Sequence, residues 1–430
     1  MDVSSVGDGS RRADYLPSLR DGRPIVVPEN LKLNPLENGY YEYVILGAGC
    51  AGLSLCRYLL EQGATEPILI LDQKSEFADD RTWCFWDVEP TPFSHLANKQ
   101  WGSWAIHAAG DIVEQKTERY PYQCLTAADF YRSVLEKISH HKNVTLQLGE
   151  PVESCKEHEG ETFIQTTQNT YTARYVFDGR GLPPNSPMFE EARIKAVWVP
   201  QKFVGLRIRS REPVFDPERC TLMDFSVSQE RGLRFVYVLP FSEREALVEN
   251  VYLSEAKISV DEYRDELESY LSVVYGIFPD DYVVDGEERG YIPMTDYAFP
   301  RKFGERTYSI GMLGGESRPS TGYTFLRIQR YCRALAENVV AGREPPQRVE
   351  AARYKLLDKI FLRFMKEHPE KCPGVYRRMF TGLPADTLVR FLTEKSTLLE
   401  DLRLVLAMPK IPFVKIAVRL LARSVSSRAG

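Results

Sequence analysis

The hydrophobic pattern of this chain changes period several times, and each change marks a different kind of element. A continuous apolar run at Tyr43–Leu46 has the character of a buried strand, and it ends in a glycine cluster where a helix opens. A second apolar run, Pro67–Asp72, predicts another strand. A helix is expected over Ala127–His140, with Thr126 and Asp129 as start signals. Short strand-like runs follow at Val144–Leu148, Thr162–Thr167 and Tyr171–Phe177. From Phe203 to Ser254 the period becomes two, in the runs Phe203–Ile208, Leu222–Ser226, Arg234–Leu239 and Ala246–Leu253. Turn formers separate these runs, which predicts an antiparallel sheet. Asp261–Tyr275 reads as a helix, Tyr308–Leu313 as a strand, and a further helix is expected beyond Gly322. From Ala351 onward the pattern is helical, punctuated by Pro369, Pro373, Pro384, Pro409 and Pro412.

The glycine cluster after the first strand is G-x-G-x-x-G, formed by Gly47, Gly49 and Gly52. In a dinucleotide site the first glycine permits the tight turn, the second admits a pyrophosphate, and the third lets helix and strand pack closely. The helix N-terminus supplies free N–H groups and a favourable dipole. Asp72 closes the second strand, where a ribose hydroxyl needs an acceptor. Two later segments, Asp178-Gly179-Arg180-Gly181 and Gly311–Gly322, also follow strands. Either alone reads as a plain turn. Together with the first they fit one cofactor crossed by three separated segments, the flavoprotein arrangement. The expected fold is therefore α/β: a Rossmann-like FAD-binding domain, an inserted antiparallel β-sheet substrate domain and a helical C-terminal region. The corresponding divisions are a flexible extension over 1–40, FAD-binding segments at 41–200 and 301–345, the substrate sheet at 201–300, and the helical region at 346–430.

Composition changes this picture in few places. With 430 residues, 43% hydrophobic and 27% charged, the chain is long enough for two or three domains. No stretch offers eighteen consecutive apolar residues, and the N-terminus has no apolar signal region. The eight cysteines are scattered without a C-x-x-C pair, so reduced thiols in a cytoplasmic setting are expected, with no metal. No G-x-S-x-G or Cys/His nucleophile pattern supports hydrolysis. The net charge of −5 conceals an asymmetry: from Ala351 onward 16 Lys and Arg stand against 7 Asp and Glu, leaving −14 for the first 350 residues. The basic residues of this tail are interleaved with apolar ones, which suits a membrane surface better than nucleic acid. In Pro412–Arg423, Lys415, Arg419 and Arg423 recur every four residues, close to one helical face. A terminal helix packed on the body with its charges in solvent is the other reading. Peripheral association on the cytoplasmic side is the expectation; oligomeric state is not legible.

Several segments in order resemble the lycopene cyclases, flavoproteins of carotenoid biosynthesis. After the dinucleotide motif come Asp80-Arg-Thr-Trp-Cys-Phe-Trp86 and Asp178-Gly-Arg-Gly181. Leu222-Met-Asp-Phe225 and Arg234–Pro240 resemble the family's central sheet, and Leu247-Val-Glu-Asn-Val-Tyr252 the segment bearing its essential acid. Glu288–Met294 and Arg318-Pro-Ser-Thr-Gly-Tyr323 complete the set. The resemblance extends from Tyr43 through the C-terminal helices. It implies a redox-neutral ring closure at the ends of lycopene to β rings, requiring FAD in its reduced form, with NAD(P)H as an indirect reductant. A terminal double bond is protonated, a neighbouring double bond attacks the tertiary cation, and a proton leaves.

Such chemistry needs a desolvated acid, an electron-rich wall and a dry pocket. The resemblance assigns the acid to Glu249. The period of two places it among Leu247, Val251 and Leu253 on one face, where burial would keep it protonated; the pattern alone also allows a solvated strand residue. Its neighbour Asn250 departs from the family's usual acid or polar residue, and it either tunes the donor or faces the other side of the sheet. Wall candidates are Trp83, Phe85, Trp86, Phe225, Tyr237 and Tyr291. Cofactor contacts are expected from Gly47, Gly49, Gly52, Asp72, Arg81, Gly179, Gly315 and Gly322. A flavin-dependent monooxygenase or reductase acting on a polyprenoid shares this nucleotide fold and would change product mass; a non-catalytic flavoprotein would leave its ligand unchanged.

Overall fold

A computed structural model describes residues 25–32, 35–36, 39–184, 186–347 and 349–426. Three sheets organise the chain. In the first, the strands Val144–Leu148, Ile68–Asp72, Tyr40–Leu46 and Thr170–Asp178 run parallel in that order. Beyond Thr170–Asp178 the edge is shared: Glu161–Thr166 and Val152–His158 continue antiparallel along its first half, and Thr307–Ser309 pairs parallel with its second. The central strands are apolar on both faces: helices Cys50–Glu61, Ala127–Ser139 and Phe325–Val340 cover one side, and on the other Val44, Leu46, Leu69 and Leu71 pack with Ile164, Tyr171 and Val176.

The second sheet has the order Tyr282–Thr295, Trp198–Ser210, Glu245–Leu253, Leu233–Pro240, Arg219–Asp224, Ser103–Ala108 and Asp111–Lys116. Its pairs are antiparallel except Arg219–Asp224 against Ser103–Ala108. A third, small sheet joins Thr82–Trp86, Tyr122–Thr126 and Lys99–Trp101. Ser103–Lys116, expected within the first FAD-binding segment, thus extends the antiparallel sheet. The pairing is between segments far apart in sequence and leaves no mark in the local hydrophobic period.

Local expectations translate closely into elements. Thr126 caps the helix Ala127–Ser139 by accepting from the Asp129 N–H, and Ser259 with Glu262 forms a capping box for Val260–Tyr270. That helix continues as a π-turn, Leu271–Tyr275, and stops at Gly276 in the left-handed region. The prolines of the tail mark helix starts: Pro373 sits in the first turn of Cys372–Gly382, and Pro384 precedes Ala385–Leu392. Ala352–Glu367, Leu398–Ala407 and Lys410–Ser426 complete the C-terminal region.

Two expectations differ from the structure. The strand foreseen over Tyr308–Leu313 ends at Ser309; Gly311 takes φ +66°, and Gly311–Gly314 forms a 3₁₀ turn instead. The extension foreseen as flexible over 1–40 includes residues that pack: Val27 and Leu31 are buried against the first sheet's helices, and Ile25 bridges to Phe77. Residues 1–24, 33, 34, 37 and 38 lie outside the described residues.

Candidate functional site

The turns after the parallel strands converge because the strands are in register: Leu46 stands beside Asp178, and Asp178 beside Ser309. Gly47, Gly179 and Gly311 therefore follow three neighbouring strands at their carboxyl ends, the place where open α/β sheets bind ligands. The first three glycines divide the work by geometry. Gly47 has φ +98°, and a Cβ there would lie 3.0 Å from the Gly179 carbonyl oxygen. At Gly52 a Cβ would lie 1.9 Å from the Gly47 oxygen, so helix and turn touch through that position. At Gly49 a Cβ would meet no protein atom within 4 Å. The space it leaves open belongs to a cavity.

That cavity is continuous, about 1170 Å³, and lined from both the nucleotide-type sheet and the antiparallel sheet. Sites for single drug-sized ligands run to roughly 300–1,000 Å³, so this one has room for a cofactor and part of a second molecule. Gly47, Gly49, Asp72, Arg81, Gly179 and Gly322 line it. Gly49 is the N-cap of Cys50–Glu61 and makes no side-chain cap; Thr324, N-cap of Phe325–Val340, makes none either. Two helix N-termini with uncapped amides thus meet the cavity at Cys50 and Phe325. Asp72 accepts from the Ala48 and Lys74 amides at 2.6 and 2.9 Å, bracing the glycine turn from within the cavity wall. The Arg81 guanidinium, exposed, donates to the Arg289 carbonyl at 2.8 Å. Gly322 has φ +73°, and a Cβ there would sit 2.8 Å from Gln201 Oε1. Gly315 departs from expectation: it caps the 3₁₀ turn at φ +78°, faces Phe299 and is not among the lining residues.

On the antiparallel sheet, one row of residues crosses four strands. Glu288 pairs with Gly205, Gly205 with Glu249, and Glu249 with Tyr237. Directly opposed residues share a face, and this face turns Phe203, Tyr237, Leu247, Glu249 and Val251 to the cavity. Glu249 and Glu288 are each 8% exposed. Burial pushes the Glu249 carboxyl well above the usual carboxylate range, and the Glu288 charge adds to it. Glu288 Oε2 accepts from the Thr82 hydroxyl at 3.0 Å, which in turn accepts from Arg207 Nη2 at 2.9 Å. Tyr237 and Tyr122 share a hydroxyl hydrogen bond of 2.9 Å, and burial raises the pKa of both. Asn250 lies on the sheet's other face. It accepts from Arg234 Nε at 2.8 Å and donates to Glu266 at 2.7 Å, away from the cavity.

The aromatic candidates divide. Tyr237, Tyr291 and Trp83 line the cavity. Trp86 does not; it stands behind, with ring centroids 4.6 Å from Tyr122 and 5.5 Å from Tyr323, both of which line it. Phe225 packs between Phe235 and Tyr376, and Phe85 stacks on Phe325; neither reaches the cavity. The sequence reading missed Tyr376, Met379 and Phe380, lining residues contributed by the C-terminal helix Cys372–Gly382. It also missed Gly205, although a glycine inside a period-two strand is the usual sign of a close approach. A Cβ at Gly205 would sit 2.7 Å from Glu249 Cγ.

Residues 42–418 match the model of the lycopene cyclase protein family. The lycopene beta-cyclase of Pantoea ananas is 24% identical over 386 residues, which cover 87% of this chain and 96% of that protein. The lycopene beta-cyclase of a Paracoccus species is 24% identical over 405 residues, 86% of this chain and 95% of the relative. Among solved structures, a geranylgeranyl bacteriochlorophyll reductase-like protein from Thermoplasma acidophilum superposes with TM-score 0.58 at 12% identity, covering 88% and 98% of the two chains. A flavoprotein/dehydrogenase from Cytophaga hutchinsonii does so with TM-score 0.56 at 13% identity, covering 83% and 93%. These structures share the fold. The chain belongs to the lycopene cyclase family.

Proposed function

We propose that this lycopene cyclase family member converts the linear ends of lycopene into β rings by acid-initiated, redox-neutral cyclisation, with FAD bound beside the polyene. The observation that carries this reading is Glu249: a buried carboxyl group on an apolar face, its pKa raised by that burial, in the wall of a cavity that reaches the glycine turns. The named relatives are β-cyclases, which favours β over ε rings.

The residues present fit FAD. The Gly49 cradle, which a Cβ would fill, and the uncapped N–H groups at Cys50 suit a pyrophosphate; Gly47, Asp72 and Gly179 complete that part. Gly322 and the amides at the start of Phe325–Val340 suit the ring system. In its reduced, anionic form the cofactor supplies negative charge that stabilises a neighbouring cation without net electron transfer, and NAD(P)H serves as the indirect reductant.

The chain's own residues supply the rest. Glu249 gives its proton to the terminal double bond, and the tertiary cation is attacked by the neighbouring double bond. Tyr237, Tyr291 and Trp83 line the cavity, and aromatic rings there stabilise positive charge. Leu247, Val251, Leu253 and Met379 exclude the water that would trap it. A proton then leaves the ring, and the product is an isomer of the substrate.

A polyene soluble only in lipid has to be collected from a bilayer. No helix of the described residues is long and apolar enough to cross one. The C-terminal helices instead carry an exposed apolar set: Leu398, Leu399, Leu402 and Leu406 on one, Ile411, Val414 and Val418 on the next. Lys410 and Lys415 stand exposed beside them. The chain is proposed to rest on the membrane through this surface, which adjoins the helices lining the cavity.

The test is incubation of purified protein with lycopene and reduced FAD, followed by chromatography and mass analysis. A cyclic product of unchanged mass is expected. A product gaining hydrogen or oxygen would reassign the chain to redox chemistry, and recovery of unchanged lycopene to ligand binding.

A further inference from the structure

Glu288 is buried, charged by nature and absent from the cavity wall, so ring closure as described above gives it no task. Its surroundings supply one. Glu288 and Glu249 sit on either side of the same residue of the strand Trp198–Ser210, and that residue is Gly205. Any side chain there would stand between the two acids, since even a methyl carbon would lie 2.7 Å from Glu249 Cγ and 3.1 Å from its Oε1. With glycine no side chain separates the two acids, and the Glu288 charge acts on the Glu249 carboxyl across the strand. Glu288 Oε2 is satisfied by Thr82, but Oε1 is buried and, among the described residues, receives no N–H or hydroxyl donor. A buried acceptor left without a donor costs about 1–3 kcal/mol. An acid proton on Glu249 is the donor this row of residues provides.

We propose that Glu249 and Glu288 hold one proton between them across Gly205, and that this pair both delivers the proton that starts ring closure and takes back the proton released at its end. Glu249 faces the substrate; Glu288 is a positioning residue that acts through it. The inference rests on the proposed cyclase reaction. In the first step the pair's proton forms a C–H bond as the terminal π bond opens, leaving a carbocation and two carboxylates. The next π bond attacks to form the ring C–C bond and moves the charge into the ring. Loss of a C–H proton beside that charge restores a double bond, and the proton returns to the pair. No electrons are gained or lost. Two ionised carboxylates facing each other across one strand in a buried site repel each other, so the doubly ionised pair is a ready acceptor. The acid used at the start is thereby regenerated without water.

The other groups facing the pair set its balance. Arg207 approaches from the central strand and also meets Asp79 at 3.6 Å; its charge favours the ionised pair. Cys84 and Cys124, from the small sheet packed over the pair, and Tyr237, opposite Glu249 on the next strand, are further titratable neighbours. Thr82 donates to Glu288 and so stabilises its carboxylate.

Two variants with opposite expected signs test the pair. The readout is the infrared band of the protonated carboxyl group, titrated in substrate-free protein and assigned by its loss in Glu249→Gln. Glu288→Gln removes the neighbouring charge, and the midpoint should fall by about one pH unit or more. Thr82→Val removes a donor to the carboxylate, and the midpoint should rise. The basic limb of the kcat profile should move in the same two directions, whereas a loss of packing alone would lower kcat without moving it. Unmoved midpoints in both variants, with Glu249→Gln inactive, would overturn the pair while leaving the acid assignment standing. An active Glu249→Gln enzyme would instead overturn the acid assignment itself. If Glu288→Gln does not fold, the upward shift in Thr82→Val decides alone.

Discussion

Arg318 and Asp358 form an ion pair that is almost wholly out of solvent, with side chains 1% and 3% exposed. Arg318 Nε donates to Asp358 Oδ1 at 3.0 Å, and its Nη1 donates to the carbonyls of Phe391 and Leu392 at 2.8 and 2.9 Å. Ser320 adds a hydrogen bond of 2.7 Å to the same carboxylate. The pair joins the segment that follows the 3₁₀ turn of the nucleotide-type sheet to two helices of the C-terminal region. Because Thr321–Phe325, a few residues on, line the cavity, this contact also holds the cavity wall in place.

Asp358→Ala would strand a buried guanidinium, which typically costs about 3–5 kcal/mol. The double variant Arg318→Met, Asp358→Leu should recover much of that loss, since it removes both charges. Urea unfolding of the three proteins checks the order; a loss below about 1 kcal/mol in Asp358→Ala would show that the pair is not what joins the two regions.

The second and third glycines of the first motif should fail differently. Gly52→Ala forces a carbon to within 1.9 Å of the Gly47 oxygen, so the helix must shift, and lower stability with lost flavin is expected. Gly49→Val meets no protein atom and should fold normally while losing FAD. Flavin absorbance per chain alongside a thermal melt separates the cases. A well-folded Gly49→Val protein with stoichiometric FAD would count against the pyrophosphate placement.

Glu249→Gln keeps the shape of the side chain and removes its acidic proton. FAD and lycopene binding should survive, while cyclisation falls by at least the ~10²–10⁴ attributed to one acid–base group, because no water substitutes in an apolar pocket. Glu249→Asp should retain little activity, since it withdraws the proton by one methylene. Product formation per flavin measures both.

The raised pKa of Glu249 also has a stability consequence with a definite sign. Above the unfolded-chain value near 4.3, the unfolded state releases this proton while the folded state keeps it. Glu249 therefore subtracts stability as pH rises through that window towards its folded pKa. Glu249→Gln should remove this loss: the variant gains on the parent as pH rises above the unfolded-chain value of about 4.3, measured as the difference in urea midpoints. A constant difference across that range would mean that Glu249 ionises normally in the fold.

For the membrane surface, deleting the last helix would confound binding with stability, because that helix is also docked on the body. Ile416 is fully buried, and Phe413 stacks on Phe364 with centroids 4.5 Å apart. The side chain of Arg423 lies outside the described residues. Leu402→Asp with Val414→Asp alters exposed positions instead and should leave the melt unchanged while abolishing flotation with anionic liposomes. Undiminished flotation would place the contact elsewhere.

What the amino-acid sequence determined by itself is whatever short-range sterics and solvent preference encode. The strand–turn–helix at Tyr40–Glu61 is one case: positive φ at Gly47 is a local backbone requirement, and Gly52 must lack a Cβ because its neighbour, the Gly47 oxygen, lies five residues away. The period-two strands and the caps at Thr126 and Ser259 are legible for the same reason, and the alternation that put Glu249 on the apolar face of its strand also put Asn250 on the other. What only the tertiary structure decided is which strands became neighbours. Ser103–Lys116 joins the antiparallel sheet, Trp86, Phe225 and Gly315 fall short of the cavity, and a helix near the C-terminus supplies Met379 and Phe380 to its wall. The meeting of Glu249 with Glu288 is the clearest instance. Each acid carries only its own strand's pattern, and their placement on either side of Gly205 depends on the register of both strands, a long-range pairing set by the packing of the whole sheet.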